Sequence, residues 1–342
     1  MNILKSKKSI GILIVSMIAT NTLTYFYSTK KSVSVADEAD QSVHTDNSSG
    51  CTYKVQRLNG YDFIKPILFV DTQCESEKLS PVKQSVTTLI NNYKNIGVIN
   101  SASVYLKEYQ ANDWTGINMD EKFLPGSLMK VPELIAYLKM NELKPGTLDK
   151  VLLFDKTTFT DRHVNFGSKS IQLGKKYTIR ELLKYMITYS DNNATDLLNR
   201  NIDLNVFKKV FTDLGMDAPD WSAKNYPITA KQFSVFMRTL YNGTYLNDEN
   251  SEIATQLLSK CDFKEGLVAG LPTNTKVAHK FGEAGTTQEQ QLSESAIIYL
   301  DNNPYVITIM TRGKDYKQLP LVIKEISNVV YQFMQQNDIA SN

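Results

Sequence analysis

Histidine and cysteine are scarce in this sequence, which contains three of each in 342 residues. No His-x-His or His-Glu-x-x-His spacing occurs, and the cysteines are not spaced as zinc ligands. These gaps exclude the usual hydrolytic zinc sites, and we expect neither a metal nor an organic cofactor.

Two other signatures are missing. There is no Gly-x-Ser-x-Gly elbow of the kind that carries the nucleophile of α/β-hydrolases, and the glycines and lysines of positions 167–175 lack phosphate-loop spacing. The net charge of only +2 argues against nucleic acid as the main partner. We expect a monomer with one large core or two small ones.

The N-terminus carries Lys5, Lys7 and Lys8 ahead of an apolar run, Ile10–Tyr27. This order is typical of a signal peptide or a membrane anchor. The small residues 34–36 could form a cleavage site, but two lysines separate them from the run. We favour an uncleaved anchor and an extracytoplasmic protein, with secretion after cleavage as the alternative.

Composition divides the chain into five segments. Residues 28–50 are rich in Ser, Thr, Asp and Glu and have no apolar periodicity, which is typical of a disordered tether. The predicted order is a cytoplasmic stub (1–8), a membrane anchor or signal segment (9–27), the tether (28–50), a short accessory segment (51–79) and the main domain (80–342).

The accessory segment is flanked by Cys51 and Cys74, whereas Cys261 lies far downstream. In an oxidising compartment Cys51 and Cys74 are the natural pair. Closing a loop of this size stabilises a fold by about 3 kcal/mol in the chain-entropy model. The segment is too short to fold alone, so we expect it to pack onto the main domain.

The main domain begins and ends with elements that can share one sheet. Helical patterns start at Ser80-Pro81, at Ser127 and at Pro320, and a helical block covers about 150–240. Alternating polar and apolar residues predict strands at 101–109, 114–117, 276–282, 295–300 and 305–311. These elements predict an α/β (α+β) fold, with an antiparallel sheet from both chain ends and an inserted helical subdomain.

Ser127 and Lys130 form a Ser-x-x-Lys motif at the start of an apolar helix. Residues three apart share a helix face, so the lysine can reach the serine hydroxyl. The free N–H groups of a helix start also suit a developing oxyanion. The motif is weak alone, because Ser28/Lys31 and Ser80/Lys83 match it and a serine there is often a helix cap.

Two further short motifs follow. Ser190-Asp191-Asn192 lies at the end of a helix, where it is either a turn cluster or a hydroxyl relay beside an amide ligand. Lys280-Phe281-Gly282 lies on a predicted strand, where the glycine would let a peptide-like substrate approach the backbone. The alternative for Lys280 is a surface position on an edge strand.

The order Ser-x-x-Lys, Ser-Asp-Asn, Lys-x-Gly resembles that of the penicillin-recognising serine hydrolases, and is most similar to class A β-lactamases and D-Ala-D-Ala peptidases. The likeness spans about residues 80–340 and implies a β-lactamase/transpeptidase-like fold. It implies an acylated nucleophile and binding groups for a β-lactam or cell-wall peptide. The catalytic residues implied are Ser127, Lys130 as base and Ser190 as proton donor; the substrate-binding residues are Asn192, Lys280, Gly282 and Glu283.

The chain departs from that family at two points. Phe281 replaces the usual Thr or Ser, so carboxylate binding would depend on Lys280 or on Thr286 and Thr287. From Ser190 through Phe233 there is no glutamate to activate a deacylating water, and Asp217 and Asp220 are shorter acids in about that region. Three hypotheses follow: a β-lactamase, a D-Ala-D-Ala peptidase, or a catalytically weak peptidoglycan-binding module.

Overall fold

The computed structural model describes residues 42–45, 51–157, 165–220, 226–301 and 303–340. The predicted stub, the predicted anchor and most of the tether lie outside these residues. Within the described ranges, no helix is long and apolar enough to cross a membrane. Ten strands occur there: β1 Ser42–Thr45, β2 Thr52–Arg57, β3 Ile67–Thr72, β4 Ile99–Glu108, β5 Trp114–Ile117, β6 Val151–Leu153, β7 Lys176–Thr178, β8 Lys276–Gly285, β9 Gln290–Tyr299 and β10 Tyr305–Gly313.

Eight α-helices complete the described part of the chain. Six of them, α2 to α7, follow β5 and precede β8, and so form the inserted helical subdomain. The helices are α1 Ser80–Asn95, α2 Lys130–Leu143, α3 Ile179–Thr188, α4 Asn192–Asn199, α5 Leu204–Asp213, α6 Ala230–Tyr241, α7 Asp248–Leu258 and α8 Leu319–Ala340.

A five-stranded antiparallel sheet of order β5-β4-β10-β9-β8 lies at the centre. It combines strands from both ends of the domain, which confirms the predicted architecture. Its side chains alternate between two cores. Val306 and Met310 of β10 join the core shared with the helical subdomain, whereas Ile307 and Ile309 join the core under α1 and α8.

Three predictions about local structure need correction. Ser80 is the first residue of α1 rather than its N-cap, which is Leu79 without a side-chain cap bond. The predicted helical block does not begin near 150, because β6 and β7 pair there and the described residues 150–157 and 165–178 contain no helix. The block also does not end near 240, because α7 extends to Leu258. Helix α3 begins with a capping box formed by Thr178 and Glu181.

The accessory segment forms the β2–β3 hairpin, closed by the predicted disulfide between Cys51 and Cys74. Strand β1, which lies within the predicted tether, pairs with β2. The hairpin packs onto the helical subdomain, as expected. The guanidinium of Arg238 on α6 donates two hydrogen bonds, of 2.6 and 3.2 Å, to the carboxylate of Asp71 on β3.

Candidate active site

Ser127 lies in a short 3-10 turn, Gly126–Met129, immediately before α2. The sequence predicted a helix that starts at Ser127, but the α-helix begins at Lys130 and its N-cap is Met129. The Ser127 side chain is half-buried. The nucleophile candidate is therefore placed on a backbone turn that is continuous with the buried helix α2.

This turn and strand β8 approach each other so closely that only glycine fits at two positions. Gly126 has φ +53°, and a Cβ there would overlap the carbonyl oxygen of Glu283. A Cβ at Gly282 would overlap the carbonyl oxygen of Pro125. The backbone on either side of Ser127 thus lies against the backbone of Gly282 and Glu283.

Ser190 connects the two halves of the site. It lies between α3 and α4 with φ +54°, a left-handed conformation that is uncommon for residues other than glycine. Its hydroxyl oxygen accepts hydrogen bonds from Lys130 Nζ at 3.1 Å and from Lys280 Nζ at 3.0 Å. With both lone pairs used in this way, the hydroxyl hydrogen stays available for donation.

The ammonium of Lys130 is bound by the Ser190 turn. Besides the Ser190 hydroxyl, it donates to the Ser190 carbonyl at 2.6 Å and to Asn192 Oδ1 at 2.9 Å. Within the described residues it makes no hydrogen bond to Ser127, so the predicted contact between these two side chains is not formed. Catalytic hydrogen bonds often tighten only in the substrate complex.

Both lysines are buried, and burial changes their acidity. Desolvation together with the charge of Lys280 lowers the pKa of Lys130 to about 7, although Glu133, Asp191 and Glu283 act in the opposite direction. Desolvation also lowers the pKa of Lys280. A lysine in this condition can lose its proton near neutral pH and act as a base.

Lys280 faces Ser190 rather than open solvent. It is fully buried and also donates to the carbonyl oxygen of Phe281 at 3.0 Å. If Lys280 attracts a substrate carboxylate as predicted, Ser190 therefore lies between its ammonium group and that carboxylate. Thr286 and Thr287, the other candidates for that role, are exposed, and Thr286 Oγ1 accepts the backbone N–H groups of Gln288 and Glu289.

Asp191 holds the loop that follows β6 against the Ser190 turn. Its carboxylate accepts from Ser170 Oγ and from the Ile171 N–H, both at 2.8 Å, and from the Asn193 N–H at the start of α4. Asp191 therefore has a structural role in the site. The pinned turn in turn fixes the oxygen atoms that bind Lys130.

Phe281 is explained by packing. Its ring is 1% exposed and lies against Phe263 and Phe166, with ring centroids 4.4 and 6.1 Å away. The Lys280 ammonium lies 3.9 Å from the ring centroid, within the range of a cation–π contact. The side chain of Glu283 accepts hydrogen bonds from the N–H groups of Asn165 and Phe166. Position 281, where the family usually has Thr or Ser, thus holds a ring that packs in an aromatic cluster. This cluster and the Glu283 hydrogen bonds hold the loop that contains Asn165 and Phe166 in place.

One buried acid was missed by the sequence interpretation. Glu133 of α2 is 6% exposed, its Oε1 accepts a long 3.5 Å hydrogen bond from Asn199 Nδ2, and its Oε2 has no partner within the described ranges. Desolvation raises its pKa, against the charge of Lys130. The available signal was an acid three residues after Lys130 in an otherwise apolar run. Asp217 and Asp220, in contrast, are exposed.

Comparisons with known proteins agree with this arrangement. Residues 81–334 match the model of a family described as the β-lactamase enzyme family. A protein called β-lactamase from Phocaeicola vulgatus is 24% identical, with 67% of this chain and 79% of that protein covered.

Among solved structures, a variant of PBP-A in an acyl-enzyme complex with penicillin G matches with a TM-score of 0.63 at 20% identity, covering 75% of this chain and 97% of that one. A class A β-lactamase from Mycobacterium abscessus matches with a TM-score of 0.59 at 22% identity, covering 73% and 98%. These likenesses confirm the predicted fold.

Proposed function

Because the chain belongs to the β-lactamase enzyme family and is a serine hydrolase, we propose that it cleaves β-lactam amides through an acyl-Ser127 intermediate. The observation that carries the proposal is the Ser190 hydroxyl, which binds two buried lysines beside the turn that holds Ser127. A nucleophile, a base of lowered pKa and a proton donor are the three groups that acyl transfer needs.

In the proposed acylation, neutral Lys130 accepts the proton of Ser127 as its oxygen attacks the amide carbon. The developing oxyanion is stabilised by the backbone N–H groups of Ser127 and Glu283. The C–N bond then breaks, and Ser190 gives its proton to the leaving nitrogen and is reprotonated from Lys130. Asn192 would bind the amide side chain of the substrate. Water later hydrolyses the acyl-Ser127 ester and restores the hydroxyl.

A second candidate is a D-Ala-D-Ala peptidase of cell-wall metabolism, which acylates by the same route. It is favoured by the sequence from Ser190 through Phe233, which contains no glutamate to activate a deacylating water. Asp217 and Asp220 are exposed. Under this alternative the chain would retain penicillin as a long-lived ester.

We also propose that the protein acts outside the cytoplasm, tethered by its apolar N-terminal run. The Cys51–Cys74 disulfide supports this location, since such bonds persist in oxidising compartments. Protease added to intact cells should degrade the domain, and a cytoplasmic control protein should survive. Protection of the domain until the cells are lysed would contradict this location.

Labelling with a fluorescent penicillin tests the proposed nucleophile. Wild-type chain should become covalently labelled, and Ser127→Ala should not. Ser80→Ala is the matched control, because Ser80 and Lys83 form a second Ser-x-x-Lys pair whose lysine is bound to Glu75 at 2.6 Å. Labelling that survives Ser127→Ala would refute Ser127 as the nucleophile.

A further inference from the structure

Glu133 lies on the same face of α2 as Lys130. Side chains three residues apart on a helix have Cβ atoms about 5–6 Å apart. The Glu133 carboxyl is buried, and only one of its oxygens has a hydrogen-bond partner among the described residues, Asn199 on α4. A buried acid that is so poorly satisfied destabilises a fold, so packing does not explain its presence.

The charges that face this pair come from three elements. Lys130 is influenced by Lys280 and Glu283 of β8, by Asp191 in the turn between α3 and α4, and by Glu133 itself. Glu133 is influenced by Lys130 and by its bond from Asn199. Of the acids acting on Lys130, Glu133 has the strongest effect, and it shares a helix with that lysine.

We propose that Glu133 is a positioning residue for the acylation described above, whose carboxyl group sets the protonation state of Lys130. The inference rests on the proposed function. It adds that the proton lost by Lys130 and the proton held by Glu133 are energetically linked inside the protein.

The physical basis is the competition between burial and charge. An ionised Glu133 stabilises protonated Lys130, which is the form that cannot accept the Ser127 proton. When Glu133 is protonated, that stabilisation disappears and Lys130 becomes neutral more easily. Two linked groups of this kind titrate together over a broad range rather than as a single site.

The acid limb is the part of the pH–rate profile in which acylation slows as the pH falls. Glu133→Gln should therefore move the acid limb to lower pH. For two charges separated by about the Cβ spacing of such a pair, ~6 Å, an effective dielectric constant near 20 gives a displacement of about one to two pH units. The limb should also become narrower, because Glu133 no longer titrates together with Lys130. The measurement is the rate of labelling by fluorescent penicillin between about pH 5 and 10, using the full chain.

Glu133→Leu separates this role from a structural one. Leucine removes the desolvation cost of the buried carboxyl, and Lys130, whose pKa is lowered to about 7 by burial and by the charge of Lys280, is not left as an unpaired charge when the pH lies above that value. The melting temperature, measured above the pKa of Lys130, should therefore stay constant or rise, while the acid limb moves as in Glu133→Gln. A purely structural residue would show the opposite, with lower stability and an unchanged pH profile. Glu142→Gln is the matched control on α2, since Glu142 is paired with Lys139.

The outcomes distinguish the two proposals. If the wild-type chain is not acylated on Ser127, the proposed function fails. If it is acylated and the acid limb is unmoved in both Glu133 variants, the role of Glu133 is refuted and the proposed function stands. A limb displaced equally in Glu142→Gln would also refute it, because the effect would then not be specific to Glu133.

Discussion

Removing the carboxylate of Asp71 should destabilise the whole domain, although Asp71 belongs to the accessory hairpin. Its partner Arg238 is 1% exposed, and Lys107 Nζ lies 3.8 Å from the same carboxylate. Asp71→Asn would leave these buried cations without the acid that binds them. Breaking a buried pair from one side costs about 3–5 kcal/mol, a large part of the roughly 5–15 kcal/mol typical of a domain.

The assay is urea unfolding at neutral pH, with Asp149→Asn as the control. Asp149 forms an exposed pair with Arg180 at 3.2 Å, and exposed pairs contribute only about 0–1 kcal/mol. If Asp71→Asn lowers the free energy of unfolding no more than the control does, the hairpin is not an integral part of the fold.

The same pair has a pH signature. Burial opposes ionisation of Asp71, but the charge and hydrogen bonds of Arg238 outweigh it, so the pKa of the carboxyl is lowered. A lowered pKa stabilises the fold above the unfolded-state value near 4, and this contribution is lost as the pH falls through the folded-state value. The difference in the free energy of unfolding between wild type and Asp71→Asn should therefore become smaller as the pH falls.

Three other changes test the site and the disulfide. Gly282→Ala should slow penicillin labelling about 10²–10³-fold, the cost typical of a disturbed oxyanion site, because the new Cβ would overlap the Pro125 carbonyl; unchanged labelling would contradict the close approach. Ser190→Ala should slow it by at least about 10²-fold, and a wild-type rate would remove Ser190 from the mechanism. Replacing Cys51 and Cys74 by Ser should lower the free energy of unfolding by about 3 kcal/mol in urea titrations, whereas unchanged stability would show that the bridge is dispensable.

The sheet could be predicted from the sequence because its strands carry their own signal. The alternation in β4 and the turn before β10 are local patterns, and the clusters at Ser127, Ser190 and Lys280 are short motifs. That these three motifs lie together in one site was expected only from the resemblance to the family. The hydrogen bonds of Ser190 to both lysines depend on the meeting of three distant elements, which no local pattern reports.

Other features depend on neighbours that are distant in sequence. Phe281 was interpreted as a departure from the family, but its ring packs on Phe263 and Phe166, which a strand pattern does not reveal. Glu133 was overlooked because an acid in an apolar helix is normally expected to reach solvent, whereas here α4 covers it. The left-handed backbone of Ser190 could not be predicted either, because serine rarely adopts it.

The mass of the intact protein after mixing with penicillin, followed from seconds to hours, tests the central claim most directly. The account predicts an increase equal to one penicillin, located on Ser127 by peptide mapping and absent from Ser127→Ala. A short-lived adduct with hydrolysed drug would identify a β-lactamase, and a persistent adduct would identify the peptidase alternative. Drug hydrolysis that persists in Ser127→Ala, or an adduct on another residue, would contradict the acyl-Ser127 mechanism.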